Sequence, residues 1–342
     1  MKRYPHGRRS LCEEKGCTKQ ADEKHRFCPA NTHMTQETRL YNSLSSHLRS
    51  TFGCKLFKVS INTGLSCPNR DGAKGKGGCA YCDSSTLLPK DFISGSRVRE
   101  QLLSGIEYVR KRHKADSFIA YFQVNTNTHA PVEELKRLYE EALIPEVAAI
   151  AVSTRPDCLA EEVLDLLCEL GSKKHLWIEL GLQSANDSTL ERINRGHTAA
   201  EFADACGRAA KRGIEVCAHV IVGLPGEGLA DILNTMDFVS ALPVSGIKFH
   251  QLQVIKGTRL EEDWRRGEVK TLSLEEYADM VVKCLERLPP EMIIHRLCGD
   301  VPRRLLLAPV WGVNKFMIID KIEGLLRERR TRQGALYIPA GA

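Results

Sequence analysis

The chain of 342 residues and 38.2 kDa has room for one large domain or two ordinary ones. With 42% hydrophobic and 27% charged residues it is neither mostly disordered nor fibrous, and no stretch approaches the ~18 apolar residues of a membrane-spanning helix. Net charge is +6, but residues 1–33 alone carry eight basic and four acidic side chains, so the rest is nearly neutral and the total is a weak sign of nucleic-acid binding.

The basic opening MKRYPHGRRS is not followed by the apolar core of a secretory signal, and the expected location is the cytoplasm. In a reducing compartment thirteen cysteines, an odd number, read as metal ligands plus buried thiols, not as a disulfide framework. Cys12, Cys17, His25 and Cys28 have the donors of a zinc knuckle, yet little apolar material surrounds them. Residues 1–33 are therefore expected to be a disordered basic tail. Residues 51–290 are expected to form the core domain, and 291–342 a C-terminal extension packing on it, with a basic end.

KLFKVSI (55–61) reads as a strand, followed by a loop with four glycines from Gly72 to Gly78. SRVREQLLSGIEYVRKRH (96–113) has Val98, Leu102, Ile106 and Val109 at helical spacing. Strand and helix patterns then alternate: strands at 118–124, 147–153, 175–182, 214–225 and 246–255, helices at 131–143, 160–170, 198–213, 229–242 and 273–288. KIEGLLRERRTRQG (321–334) reads as a solvated terminal helix. About six β–α units with continuous apolar strands predict a parallel sheet flanked by helices, open or partly closed into a barrel. Sites in such folds gather where the strands end. Polar residues stand there: Gln123 to Thr128, Ser153 to Asp157, Gln183 and Ser184, and Gly223 to Glu227, with Glu179, His219 and His250 inside strands. Cys54, Cys158, Cys168, Cys206, Cys217 and Cys284 read as buried thiols. Cys298, before Gly299 and Asp300, is a candidate for the barrel mouth.

The strongest local signal is Cys67-x11-Cys79-x2-Cys82 in SCPNRDGAKGKGGCAYCDSST. Three thiolates in a glycine-rich loop suit an iron–sulfur cluster or a soft metal. A structural zinc closes with four ligands, and no fourth cysteine or histidine lies nearby, so zinc would need a distant residue.

This loop, with Tyr81 between its last two cysteines, resembles the cluster loop of the radical S-adenosylmethionine (radical SAM) enzymes, with the first gap widened. The widened form is similar to the branch of the elongator catalytic subunit. YFQVNTNTHAPVEEL, STRPDCL, WIELGLQSANDSTLERINRGH, HVIVGLPGE and CGDVPRRLLLAPVW resemble segments of its bacterial YhcC/YtqA (MnmL)-like family. The resemblance implies a partial (β/α)6 barrel in the α/β class, a [4Fe–4S] cluster and S-adenosylmethionine, which together yield a 5′-deoxyadenosyl radical. It gives Cys67, Cys79 and Cys82 the ligand roles and sets the Tyr81 backbone near adenine. Asn125, Thr126 and Asn127 take the place where the superfamily carries a Gly-Gly-Glu stretch. It places Ser153, Arg155, Glu179, Gln183 and Arg195 against the cofactor, Arg195 on its carboxylate, and Val220, Gly223 and Leu224 near adenine. An electron donor such as flavodoxin or ferredoxin is implied.

The same resemblance implies a tRNA partner, with a wobble-uridine side chain converted from carboxymethylaminomethyl to aminomethyl. Arg70, Lys74, Lys76, Arg303, Arg304 and the basic run 327–332 are the candidate phosphate contacts. Two other readings stay open: a radical enzyme for a small metabolite or peptide, and a metal-stapled tRNA-binding protein without catalysis.

Overall fold

A computed structural model gives the fold of residues 40–84 and 97–339. The predicted tail 1–33 and its candidate zinc donors lie outside the described residues.

The strands are β1 (Phe57–Ile61), β2 (Phe118–Phe122), β3 (Val147–Thr154), β4 (His175–Gln183), β5 (Glu215–Val222), β6 (Gly246–Gln251), β7 (Val254–Ile255), β8 (Ile293–Arg296) and β9 (Leu306–Ala308). All but β7 and β9 form one parallel sheet in chain order, β1-β2-β3-β4-β5-β6-β8. Residues from β2 through β8 line one cavity, so the sheet is curled into a half-barrel whose edge strands β1 and β8 do not pair with each other. The helices are α1 (Leu44–Phe52), α2 (Pro68–Asp71), α3 (Val98–His113), α4 (Val132–Glu140), α5 (Glu161–Lys173), α6 (Asp187–Arg192), α7 (Ala199–Lys211), α8 (Leu229–Ser240), α9 (Arg259–Arg265), α10 (Leu274–Arg287) and α11 (Lys315–Glu328).

Alternation along the strands decides which side chain faces which layer. In β4, Leu176, Ile178, Leu180 and Leu182 join the core shared with the helices, whereas Trp177 packs in a separate apolar cluster inside the barrel. Glu179, Gly181 and Gln183 share Trp177's side and line the cavity. In β5, Val216, Ala218, Val220 and Val222 face the helices, and His219 and Ile221 line the cavity. Capping boxes set the starts of two outer helices, Thr198 with Glu201 at α7 and Ser273 with Glu276 at α10.

The structure departs from the sequence reading in three places. The predicted strand 246–255 breaks after Gln251, and β7 turns away to pair antiparallel with β9. A seventh parallel strand, β8, comes from beyond residue 290 and adds to β6, so the C-terminal extension completes the sheet itself. Nor is the terminal helix merely solvated: α11 starts at Lys315 and buries Ile318, Ile322 and Leu326 in the main core beside α10.

Candidate functional site

Beyond the C-terminal ends of the strands lies a cavity of about 260 Å³. Cys67, Cys79 and Cys82 line one side of it, together with Tyr81, Asn125, Thr126, Ser153, Arg155, Glu179, Gln183 and Arg195. The structure therefore brings together eleven of the fifteen residues singled out from the sequence.

The other four lie elsewhere. Asn127 is fully buried, donating from Nδ2 to the Val124 and Ser153 carbonyls, 3.1 Å each, and accepting from Thr63 Oγ1 at 3.0 Å. Val220 points into the helix-side core, and Ile221 is its cavity-facing neighbour. Leu224 packs in a second apolar cluster with Tyr81 and Ile221. Gly223 has φ +86, where a side chain would be strained, and it abuts Leu272.

The cysteine loop is fastened to the segment after α6. Ala80 N–H donates to the Ile193 carbonyl at 2.8 Å, and Asn194 Nδ2 donates to the Gly78 carbonyl at 2.8 Å. Asn69, buried between them, donates to the Asn194 carbonyl at 2.6 Å and to Cys79 Sγ at 3.6 Å. Arg195 donates from Nη1 to Cys79 Sγ at 3.5 Å and from Nη2 to the Gly181 carbonyl at 2.7 Å. Its Nε donates to His197 Nε2 at 2.8 Å. Burial and the Arg195 charge hold the His197 pKa down at about 3, so the ring is neutral and donates from Nδ1 to the Thr198 carbonyl at 3.1 Å. Burial pushes the Cys79 thiol up, but the Arg195 and Arg155 charges and the Asn69 bond outweigh it and leave the thiol below its ordinary value. Burial and the neighbouring Cys79 push Cys82 the other way.

Among the described residues no three His, Cys, Asp or Glu side chains converge closely enough to hold one ion. Three thiolates on one zinc would stand within about 4 Å of each other, given Zn–S of roughly 2.3 Å. A four-iron cluster gives each thiolate its own iron, and three spaced thiols around one cavity fit that group. Arg155 grips Asp157 through Nε and Nη2 at 2.9 and 3.0 Å, while its Nη1 is buried without a partner. A buried guanidinium N–H left open at the cavity suits a carboxylate ligand.

Deeper in the barrel, sequence reasoning missed a charged cluster. Glu179 accepts from Tyr121 Oη at 2.6 Å, His219 Nε2 at 3.0 Å, Ser153 Oγ at 3.2 Å and Trp177 Nε1 at 3.2 Å. Lys248 Nζ bonds the same carboxylate directly, and Lys58 Nζ lies 3.6 Å from it. The Glu179 carboxylate is thus engaged within the protein. Lys248 stands on β6, a strand buried along nearly its whole length, and Lys58 is half-buried on the edge strand β1; both amines reach Glu179.

Cys298 is buried in the main core behind the cavity and does not line it, and burial pushes its thiol up to about 11. Of the thiols read as buried, Cys206, Cys217 and Cys284 are, Cys158 is half-buried, and Cys54 and Cys168 are exposed.

Comparison with known proteins agrees with this geometry. The family model described as "Radical SAM superfamily" matches residues 61–239, and the one described as "Radical_SAM C-terminal domain" matches 244–328. The chain is 40% identical to YtqA of Bacillus subtilis over 301 residues, 87% of this chain and 92% of that one. It is 38% identical to YhcC of Escherichia coli over 306 residues, 89% of this chain and 98% of that one. The solved structure of archaeal Methanocaldococcus infernus Elp3 with an N-terminal deletion shares the fold at a TM-score of 0.65 and 19% identity. That likeness covers 81% of this chain but only 64% of the Elp3 chain.

Proposed function

The chain belongs to the radical SAM superfamily, and from that premise we propose its substrate: a tRNA wobble uridine whose carboxymethylaminomethyl side chain is converted to aminomethyl. As a member of the superfamily it is a radical SAM enzyme and uses a [4Fe–4S] cluster, S-adenosylmethionine and an electron donor. When bound, that pair supplies a 5′-deoxyadenosyl radical, and the protein's part is to orient the reactants and exclude water. The proposed cluster ligands are Cys67, Cys79 and Cys82. Arg195, Arg155, Gln183, Ser153, Asn125, Thr126 and Tyr81 are proposed to hold S-adenosylmethionine.

The observation that carries the reading is the single cavity that joins the three thiols to an unpaired arginine donor and to polar strand ends. The tRNA assignment rests on the sequence resemblance to the wobble-modifying branch. It is supported by exposed Lys76, Arg303 and Arg304, which pair with no described side chain and stand on two segments that contribute to the cavity lining. Lys74 is less available, since Asp157 holds its amine at 3.0 Å. No helix among the described residues is long and apolar enough to cross a membrane.

Nucleoside mass spectrometry of tRNA from a strain lacking the gene is expected to show carboxymethylaminomethyluridine accumulating at the expense of its aminomethyl product. An unchanged nucleoside profile rejects this substrate. With purified components, tRNA affinity is expected to fall steeply with salt, because phosphate contacts release counterions.

Two substitutions examine the cofactor contacts. Arg195→Ala is expected to weaken S-adenosylmethionine binding by about 1.5–3 kcal/mol, the scale of a hydrogen bond to a charged group, with iron content retained. Gly181→Ala is expected to do nearly the same with the arginine itself unsubstituted. A Cβ at Gly181 would collide with Arg195 Nη2 and stand 2.6 Å from Gln183 Nε2, so both must move. Unchanged cofactor affinity in both variants, measured by equilibrium binding, would remove Arg195 from the site.

A further inference from the structure

The later strands β5, β6 and β8 and the residue Gln253 supply a second part of the cavity wall, with Arg296, His219, His250 and Gln251. Charge is out of balance there. Lys58, Lys248 and Arg296 bring three basic side chains to the barrel interior, burial pushing both lysines below their ordinary value, and Glu179 is the buried carboxylate among them. Asp300 also lines the cavity but is exposed to solvent at its rim. His219 and His250 add no charge: burial and the surrounding cations hold the first at about 4 and the second well below its ordinary value.

Two groups on this part of the wall lack partners. Arg296, half-buried at the end of β8, makes no hydrogen bond or ion pair with any described residue, while both lysines are paired to Glu179. His250 Nε2 is buried with nothing to bond. The loop behind them is fixed, since Gln251 donates from Nε2 to the Gly299 carbonyl at 3.2 Å and accepts from Gly299 N–H at 2.8 Å. A cation and a ring nitrogen held open in a partly desolvated chamber carry a cost unless an anion completes them.

We propose that Arg296 and His250 form an anion subsite for a carboxylate carried by the substrate, within the cavity that the three thiols also line. Arg296 offers a planar fork matched to a carboxylate, and the neutral His250 ring offers one N–H. The inference rests on the reading of the chain as a carboxymethylaminomethyl-uridine enzyme only for the identity of the molecule that brings the carboxylate. The cofactor's own carboxylate is the competing source.

The test uses anaerobically reconstituted protein with saturating S-adenosylmethionine, so that the cofactor's carboxylate site is already filled. Sodium acetate is the probe, against sodium chloride at equal ionic strength, read by melting temperature. Acetate is expected to raise the melting temperature of the unmodified protein, as any ligand of the folded state must. Arg296→Met and His250→Phe are expected to abolish that rise. In acetate-free buffer Arg296→Met is expected to melt no lower than the unmodified protein, which separates an unpaired ligand-seeking cation from a structural one. An equal acetate response in all three proteins, or none in the unmodified one, overturns the subsite. A tenfold loss of S-adenosylmethionine affinity in Arg296→Met assigns the carboxylate to the cofactor and overturns the substrate assignment. In a second arm, tRNA bearing the carboxymethylaminomethyl group is compared with the same tRNA after methyl esterification. The unmodified protein is expected to turn over the ester about a hundredfold more slowly, and Arg296→Met to prefer the acid by only a few-fold. An acetate response lost in the variants, with neither tRNA turned over, leaves the subsite standing and rejects the uridine reading alone.

Discussion

Cys79→Ala is expected to give a colourless protein that releases no 5′-deoxyadenosine above the blank. The unmodified chain, reconstituted anaerobically, is expected to hold about four irons and four sulfides through three thiolates. Cys79 is the deepest of the three and the one whose thiol is pulled below its ordinary value, by Arg195, Arg155 and Asn69. It is therefore more readily available as thiolate than Cys82, whose thiol is pushed up. Among the described residues Cys158 is no ready substitute: burial, with the Asp157 and Cys67 charges, pushes its thiol up to about 12. Metal and sulfide analysis beside the absorption spectrum checks the result. One zinc per chain without sulfide, in the unmodified protein, would overturn the assignment of the three cysteines.

Glu179→Leu is expected to cost stability on the order of 3–5 kcal/mol, because it leaves the Lys248 and Lys58 amines in the barrel without a counter-charge. In a chain of this size that lowers the melting temperature by roughly 5–15 °C. Acid should expose the same dependence. Burial pushes the Glu179 carboxyl up, but Lys248, Lys58 and His219 together hold it well below its ordinary value of 4.5. A carboxyl with a depressed folded pKa contributes its full stability above the unfolded pKa and loses it as the pH falls through the folded one. The gap between unmodified protein and Glu179→Leu is therefore expected to be constant above about pH 5 and to shrink below 4.5. Melting curves from pH 3 to 8 check both claims, and a variant as stable as the unmodified protein at pH 7 would show that the charged cluster does not hold the barrel together.

Periodicity made the six β–α units legible, since strands buried on both faces and amphipathic helices leave different spacings in the sequence. The seventh strand was not legible. IIHR is four residues long, two of them polar, and its pairing with β6 is broken by a register shift between Ile247 and Lys248. The thiols and Arg195 were readable because a motif carries them. A resemblance names a segment, while strand parity decides the face: Val220 and Ile221 are neighbours in the chain and lie on opposite sides of the sheet, Ile221 toward the cavity. The Lys58, Lys248, Glu179 and Arg296 group was missed for a different reason. Its members come from four strands and meet only when the sheet curls, so no local pattern announces them.

The outer flank of β8 shows how such a fold remains ajar without sticking to its own kind. An unpaired strand flank offers its free amides and carbonyls to any passing chain. Here the Ile294 N–H is already spent on the Asn42 carbonyl at 2.7 Å, and Ser43 forms an isolated bridge to Ile294. Gln333 fastens that bridge, with its Oε1 accepting from Asn42 N–H at 2.9 Å and its Nε2 donating to Pro289 and Met292. With only four residues and its middle amide taken, β8 is a poor template for a foreign strand. The sheet can leave its rim unclosed, while on this flank self-association finds little to copy.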